Sequence, residues 1–322
     1  MVAHIDTVIL EVRIVMNWGL RIAGVIAIAV AVSPSLGAQW PSYPTPGVPR
    51  MADGKPILDA PTPRTADGKV DFSGIWMRAG GGGGGRGRNG APPAPTTTPE
   101  GIPLSTFGEV AGRGYQLPLQ PWAAELKKKR MADNNKDNPD VWCLPIGLMQ
   151  YHNHPQPRQI VQTKNLILIT YESNYGLRYI YTDGRPAPDN DPQPWWFGYS
   201  RGWYEGNDTL VVETTHFYGD ERAGWLDVNG TPYTDALKMT ERFRRPTFGT
   251  LEIDVTIDDA KAFTKPFTVR VNQQLRVDQE MIEFICNENE RSTEHIPKPG
   301  QPGLPGSAPA TPPPGETPAP AK

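Results

Sequence analysis

The chain has 322 residues, and its 33 glycines and 36 prolines make up about a fifth of it, where average usage of the two is about 12%; a uniformly helical protein is excluded. Residues 159–296 hold only nine of those glycines and seven of those prolines, so one core of ordinary composition lies between biased flanks. A net charge of −3 and a pI near 6.0 exclude an electrostatic case for nucleic acid or an anionic membrane as partner.

An apolar run of 11 residues, 22–32, follows Arg21 and leads into small, turn-forming residues ending at Ala38. This is the layout of a secretory signal peptide over residues 1–38. The run is too short to span a bilayer, so no stable membrane anchor is expected. Asp6 and Glu11 suit a signal poorly whereas residues 16–21 suit it well, which points to Met16 as an alternative start. A periplasmic or secreted location follows, and with it a disulfide between the two cysteines, Cys143 and Cys286. An oxidising compartment and an even count favour the bridge over two buried thiols.

Residues 39–70 read as a Pro-rich leader in which Ala52-Asp53-Gly54-Lys55 recurs as Ala66-Asp67-Gly68-Lys69. Residues 71–142 read as a docked irregular segment. It opens with the aromatic anchor Asp71-Phe72-Ser73-Gly74-Ile75-Trp76 and carries a Gly-rich linker from Gly80 through Arg88. That linker lacks the Lys-Ser/Thr and the strand-loop-helix setting of a phosphate cradle. Residues 122–130 suit a helix whose basic end, Lys127-Lys128-Lys129-Arg130, complements the helix dipole. The alternative is a patch for an anionic partner.

The β core domain is expected over residues 143–296. Strand-like runs fall at 159–163, 166–171, 177–182, 203–205, 209–217, 237–244, 250–257, 267–277 and 281–286. Alternation is strictest where Leu251, Ile253, Val255 and Ile257 interleave with Glu252, Asp254, Thr256 and Asp258, the signature of a strand with one wet face. With no long amphipathic helices between them, these runs predict a mainly β protein. It would be an antiparallel barrel or strongly curved sheet of lipocalin-like plan, with a two-sheet β-sandwich as the alternative. Residues 297–322, rich in Pro and Ala with little to bury, read as a disordered tail.

Glu241 carries the most information. Period two puts it on the face of Leu237, Met239 and Phe243, and a carboxylate facing an apolar interior needs a partner. Arg178, His216 or another arginine are the candidates. His216 shares the phase of Leu210, Val212 and Thr214, so that inward face would pair His216 with Glu241 for proton transfer. The opposite face would bring in Glu213 instead, and both faces are apolar.

His152 and His154 form an H-x-H pair that on a strand would face one side and could hold a divalent metal. No third ligand is fixed by spacing, and no cofactor is expected. Trp195, Trp196 and Tyr199 in the loop 189–199 offer rigid aromatic surface for a sugar or phenolic ligand at a barrel mouth, or else a packed lid. Asp220-Glu221-Arg222 reads as an exposed ion-pair loop. Ser200 has no nucleophile-elbow motif around it.

Six motifs together carry a resemblance. They are Asp71 to Trp76, Cys143-Leu144-Pro145, Asp183-Gly184-Arg185-Pro186, Glu205 to Val212, Glu241-Arg242-Phe243-Arg244-Arg245 and Cys286-Asn287-Glu288-Asn289. In them the chain resembles a group of exported, periplasmic proteins of soil bacteria, over about half its length. The resemblance implies one folded unit with a docked leader and brings no activity with it. Asn207 is an insertion against that pattern, Tyr204 stands where Trp is usual, and Ala187 and Tyr199 stand where His is expected.

These readings favour an exported β-barrel that binds a small, partly apolar, aromatic or sugar-like ligand in a partly polar cavity, with Glu241 inside, Trp195 and Trp196 at the mouth, and Arg178 and Tyr199 as further ligand-binding candidates. A metal-independent hydrolase, lyase or isomerase using Glu241 with His216 or Glu213 is the second reading. An envelope interaction module with Pro-rich flanks is the third.

Overall fold

The computed structural model describes residues 44–79, 96–112, 114–188, 193–219, 224–286 and 288. The signal segment 1–38, the glycine-rich linker, Asp220-Glu221-Arg222 and the tail 297–322 lie outside the described residues. Nine strands form a closed barrel in sequence order: β1 Gly74–Arg78, β2 Arg158–Gln162, β3 Leu166–Tyr171, β4 Leu177–Tyr181, β5 Tyr199–Glu205, β6 Thr209–Thr215, β7 Lys238–Thr247, β8 Thr250–Asp258 and β9 Phe267–Arg276. Neighbours are antiparallel except β4 and β5, which run parallel through a short contact of Ile180 with Ser200 and Tyr181 with Arg201. The barrel closes where β1 pairs with β9, Trp76 opposite Leu275. It is therefore a closed mixed barrel and not a two-sheet sandwich.

The aromatic anchor supplies the closing strand. Segment 281–286, expected to be the last strand, forms none, because the anchor already occupies the edge of β9. The bridge between Cys143 and Cys286 is formed and ties the chain just before the helical cap to this non-strand segment after β9.

Alternation places Ile167, Ile169, Ile180, Leu210, Val212, Met239, Phe243, Ile253, Val255, Val269 and Val271 in one buried cluster. The two ends of the barrel are closed differently. At one end the leader docks by main-chain hydrogen bonds from Phe248 to Ala60, Gly249 to Leu58 and Val70 to Asn207. The recurring tetrapeptide forms two hairpins there, closed by bridges of Arg50 with Pro56 and Arg64 with Val70. In each, the arginine donates to the turn carbonyl, of Gly54 or Gly68, at 3.0 Å.

The opposite end is plugged by a helix. Helix α1, Pro121–Ala132, packs outside, with a proline at its first position. The second, α2, Leu148–Asn153, is buried at every residue. Gly147 precedes it because a Cβ there would fall 2.0 Å from the carbonyl oxygen of Trp225.

Candidate functional site

Helix α2 and the inner faces of β2 to β7 bring four charged or ionisable side chains together in the barrel. Glu241 and Arg178 are buried to within 1% of full burial, and His152 and Arg158 to within 2%. Arg178 grips Glu241 with both terminal nitrogens, Nη1 donating to Oε1 at 3.0 Å and Nη2 donating to Oε2. The rest of its fork is used as well: Nε donates to Ser200 Oγ at 3.1 Å and Nη2 to Thr214 Oγ1 at 2.9 Å. His152 Nε2 meets Glu241 Oε1 at 2.7 Å.

The electrostatics fix the protonation states. Burial opposes ionisation of Glu241, but the Arg178 charge and the His152 hydrogen bond overcome it and hold the carboxyl at about 2. Burial pushes His152 below its ordinary value, outweighing the pull of Glu241, with Arg178 and Arg158 adding repulsion. At neutral pH the pair is a carboxylate and a neutral imidazole. An ionised carboxylate only accepts, so Nε2 must carry the proton and Nδ1 the lone pair. That Nδ1 is buried and has no hydrogen-bond partner among the described residues.

Arg158 holds the histidine in place from behind. Its guanidinium donates to the carbonyls of His152 at 2.8 Å and His154 at 3.1 Å, a cation at the C-terminus of α2. Burial lowers it to about 10, which leaves it charged at neutral pH.

Further polar groups converge on this end of the barrel. The Gln150 amide, on the same helix and 1% exposed, has neither nitrogen nor oxygen hydrogen-bonded among the described residues. Tyr151 and Tyr171 pack ring against ring at 4.5 Å, with Phe197 edge-on to Tyr151 at 5.2 Å. The Tyr171 hydroxyl is in electrostatic reach of Arg178 but makes no well-formed hydrogen bond. Gly198 (φ +65) is what lets the chain turn here, since a Cβ on it would fall 2.6 Å from Thr214 Cγ2.

The expected residues distribute unevenly around this centre. Glu241 faces inward with Met239 and Phe243, and Arg178 is its partner. The face of Leu210, Val212 and Thr214 is inward, but β6 ends at Thr215. His216 takes a left-handed backbone (φ 58), which breaks the alternation and turns its ring to Thr215 Oγ1, 2.8 Å from Nδ1. The histidine on Glu241 is therefore His152, not His216. Glu213 is half-exposed and pairs outside with Arg201 at 2.7 Å.

His152 and His154 do not face one side. They lie at the end of a helix, not on a strand, and His154 Nε2 turns to Asp140 at 3.4 Å. No cluster of three or more metal-binding side chains occurs among the described residues. Trp195 is 38% exposed and lies tilted against Tyr199 at 5.4 Å, and Tyr199 stacks on Tyr181 outside the barrel at 5.2 Å. Trp196 stacks on Tyr218 at 5.3 Å. The aromatic of that loop that covers the barrel end is Phe197.

Arg158 escaped the sequence reading although it was within reach. Period two from Ile160 puts it inward, and a second inward arginine is a signal of the same kind as Glu241. Gln150 carried no such signal, because a six-residue helix has too little length to declare a periodicity. No family model, no curated protein and no solved structure matches this chain.

Proposed function

We propose that this is an exported barrel protein that binds a small ligand with an apolar or aromatic body and hydrogen-bonding substituents at the helix-plugged end of its barrel. The barrel has the general plan in which lipocalin-type proteins hold cargo. The observation that carries the reading is the buried His152 Nδ1 lone pair, without a hydrogen-bond partner among the described residues, with a second such group, the Gln150 amide, on the same helix; the rings of Tyr151, Tyr171 and Phe197 pack together at this end. A buried polar group without a partner costs about 1–3 kcal/mol, and ligand groups able to donate and accept, such as hydroxyls, would satisfy such groups. Phenolic and sugar-like compounds have that chemistry. Export is supported by the Cys143–Cys286 bridge.

The test is a thermal-shift and calorimetric screen of the mature protein against phenolic acids, flavonoid-like phenols and mono- and disaccharides. At least one compound is expected to bind saturably, and Gln150→Leu and His152→Phe are each expected to weaken it. If no compound binds and the double variant is more stable than the parent, the reading fails and the polar groups are only a feature of the fold.

A second reading rests on the same dyad. Glu241 fixes the tautomer of His152 and leaves Nδ1 as a base, the arrangement of an oriented general base. A metal-independent hydrolase, lyase or isomerase would use it. Turnover of a bound ligand that is lost in Glu241→Gln while binding survives would separate catalysis from carriage.

A further inference from the structure

A cleft of about 560 Å³ lies outside the barrel, between α1 and the segment that leads to the disulfide. Its volume falls in the range of small-molecule sites, about 300–1,000 Å³. Leu126 and Lys129 share one face of α1, three residues apart, and Asp133 follows as its C-cap. Beyond the helix end, Asn134 and Asn135 both take left-handed backbone (φ 57 and 53), and the chain turns so that Lys136 and Asp137 also line the cleft.

Two indoles complete the cleft. Trp225 is fully buried beneath the Arg130 guanidinium, 4.1 Å from its ring. Trp142 is 45% exposed but fixed, its Nε1 donating to the Lys136 carbonyl at 2.9 Å. A large ring held in place yet half uncovered is a platform for another flat group.

The polar lining is two-signed and uncommitted. Lys129, Lys136, Asp133 and Asp137 make no ion pair among the described residues. Asn135 Oδ1 is buried without a hydrogen-bond partner among the described residues. A merely solvated helix end would show the lysines and aspartates, but it would not set them around two indoles and a buried, unused amide oxygen.

We propose that this cleft binds a small zwitterion bearing an aromatic group, with the chemistry of an aromatic α-amino acid. The ring lies against Trp142 over the Trp225 side of the cleft. The ammonium is received by Asp133, Asp137 and the Asn135 oxygen, and the carboxylate by Lys129 and Lys136. The site is separate from the barrel interior and does not depend on the function proposed there.

The probe is L-phenylalanine, titrated into the full mature protein by calorimetry and by tryptophan fluorescence. One saturable site is expected. Glycine, phenethylamine and 3-phenylpropanoate, which lack the ring, the carboxylate and the ammonium in turn, should each bind at least about tenfold more weakly, equivalent to about 1.4 kcal/mol. Trp142→Ala and Lys136→Gln should weaken L-phenylalanine by a similar factor without lowering the melting temperature, while Gln150→Leu in the barrel leaves it unchanged. Absence of saturation up to millimolar L-phenylalanine overturns the proposal. So does equal binding of 3-phenylpropanoate, or unaltered affinity in both cleft variants.

Discussion

The two ends of the barrel solve the same problem with different chemistry. The leader end is closed by backbone hydrogen bonds and by two hairpins whose arginines reach surface aspartates, Arg50 to Asp278 and Arg64 to Asp208, both at 2.5 Å. Apart from the buried Arg245, its charges stay near water. The helix end is closed by a fully buried helix, two buried arginines, a buried carboxylate and a buried imidazole. Closure as such does not require a buried ion pair, since the leader end holds its buried arginine, Arg245, on the main-chain carbonyls of Phe248, Asp71 and Ser73. The buried network is therefore an addition at one end, retained at a desolvation cost, which is why the ligand reading is placed there.

The comparison is broken most severely by removing the covalent tie at the helix end. Cys143 and Cys286 are 143 positions apart, and the chain-entropy model gives about 4–5 kcal/mol for a loop of that size. Urea unfolding of Cys143→Ala/Cys286→Ala should show a loss of that order. Hydrogen exchange should accelerate in α2 before it does in the strands. Equal acceleration of the leader would show that the two ends are one cooperative unit.

Next in size is Arg178→Met. It leaves Glu241 buried beside a neutral histidine, and breaking a buried pair costs about 3–5 kcal/mol. The double variant Arg178→Met/Glu241→Leu should recover most of that loss, because it removes the buried charge altogether. A single variant within about 1 kcal/mol of the parent would mean that water reaches Glu241, and the contrast between the ends would collapse.

Acid should act on the helix end first. His152 is held below its ordinary value of 6.5, so the unfolded chain takes up that proton before the folded one does. Its contribution is complete above about pH 6.5 and declines as pH falls below it. Glu241, held at about 2 against an ordinary 4.5, contributes fully above about pH 4.5, and this is lost as pH falls toward 2. Both losses run in the same direction. Stability measured from pH 8 to 3 should therefore fall in two stages, and His152→Gln should flatten the upper one. An unchanged upper stage in that variant would place the proton uptake elsewhere.

Much of the barrel was legible because strands declare themselves by alternation. Leu251 to Asp258 alternates cleanly, and β8 follows it. Glu241 was legible for the same reason, as a break in an apolar phase. What could not be read was the partner across space. His216 was the histidine that spacing offered to Glu241, and His152 was read only as half of a metal-binding pair; the outcome turned on the left-handed backbone at His216, before which β6 ends. The closing strand was misassigned for a related reason. Segment 281–286 reads as a strand and the Asp71-to-Trp76 anchor as part of an irregular docked segment, yet it is the anchor that pairs with β9. The Pro-rich leader folds through short-range turns at Asp53-Gly54 and Asp67-Gly68, whose repetition was visible although its docking was not.

The smallest expected effect lies at the leader end and tests the other half of the contrast. Arg50 and Arg64 sit in repeated hairpins, each with the same internal bond to a turn carbonyl and an outward ion pair. Exposed pairs of this kind are screened and contribute little. Arg50→Gln and Arg64→Gln should each shift the urea midpoint far less than Arg178→Met does. The shift should shrink further in molar salt, and the two should add, because each clamps a different turn of the barrel. A salt-insensitive loss, or a double variant much worse than the sum, would show that the leader is held by these arginines and not by its backbone bonds to residues 207, 248 and 249. The leader end would then also depend on specific charge pairs, and the case for function at the helix end would have to rest on its unpartnered atoms alone.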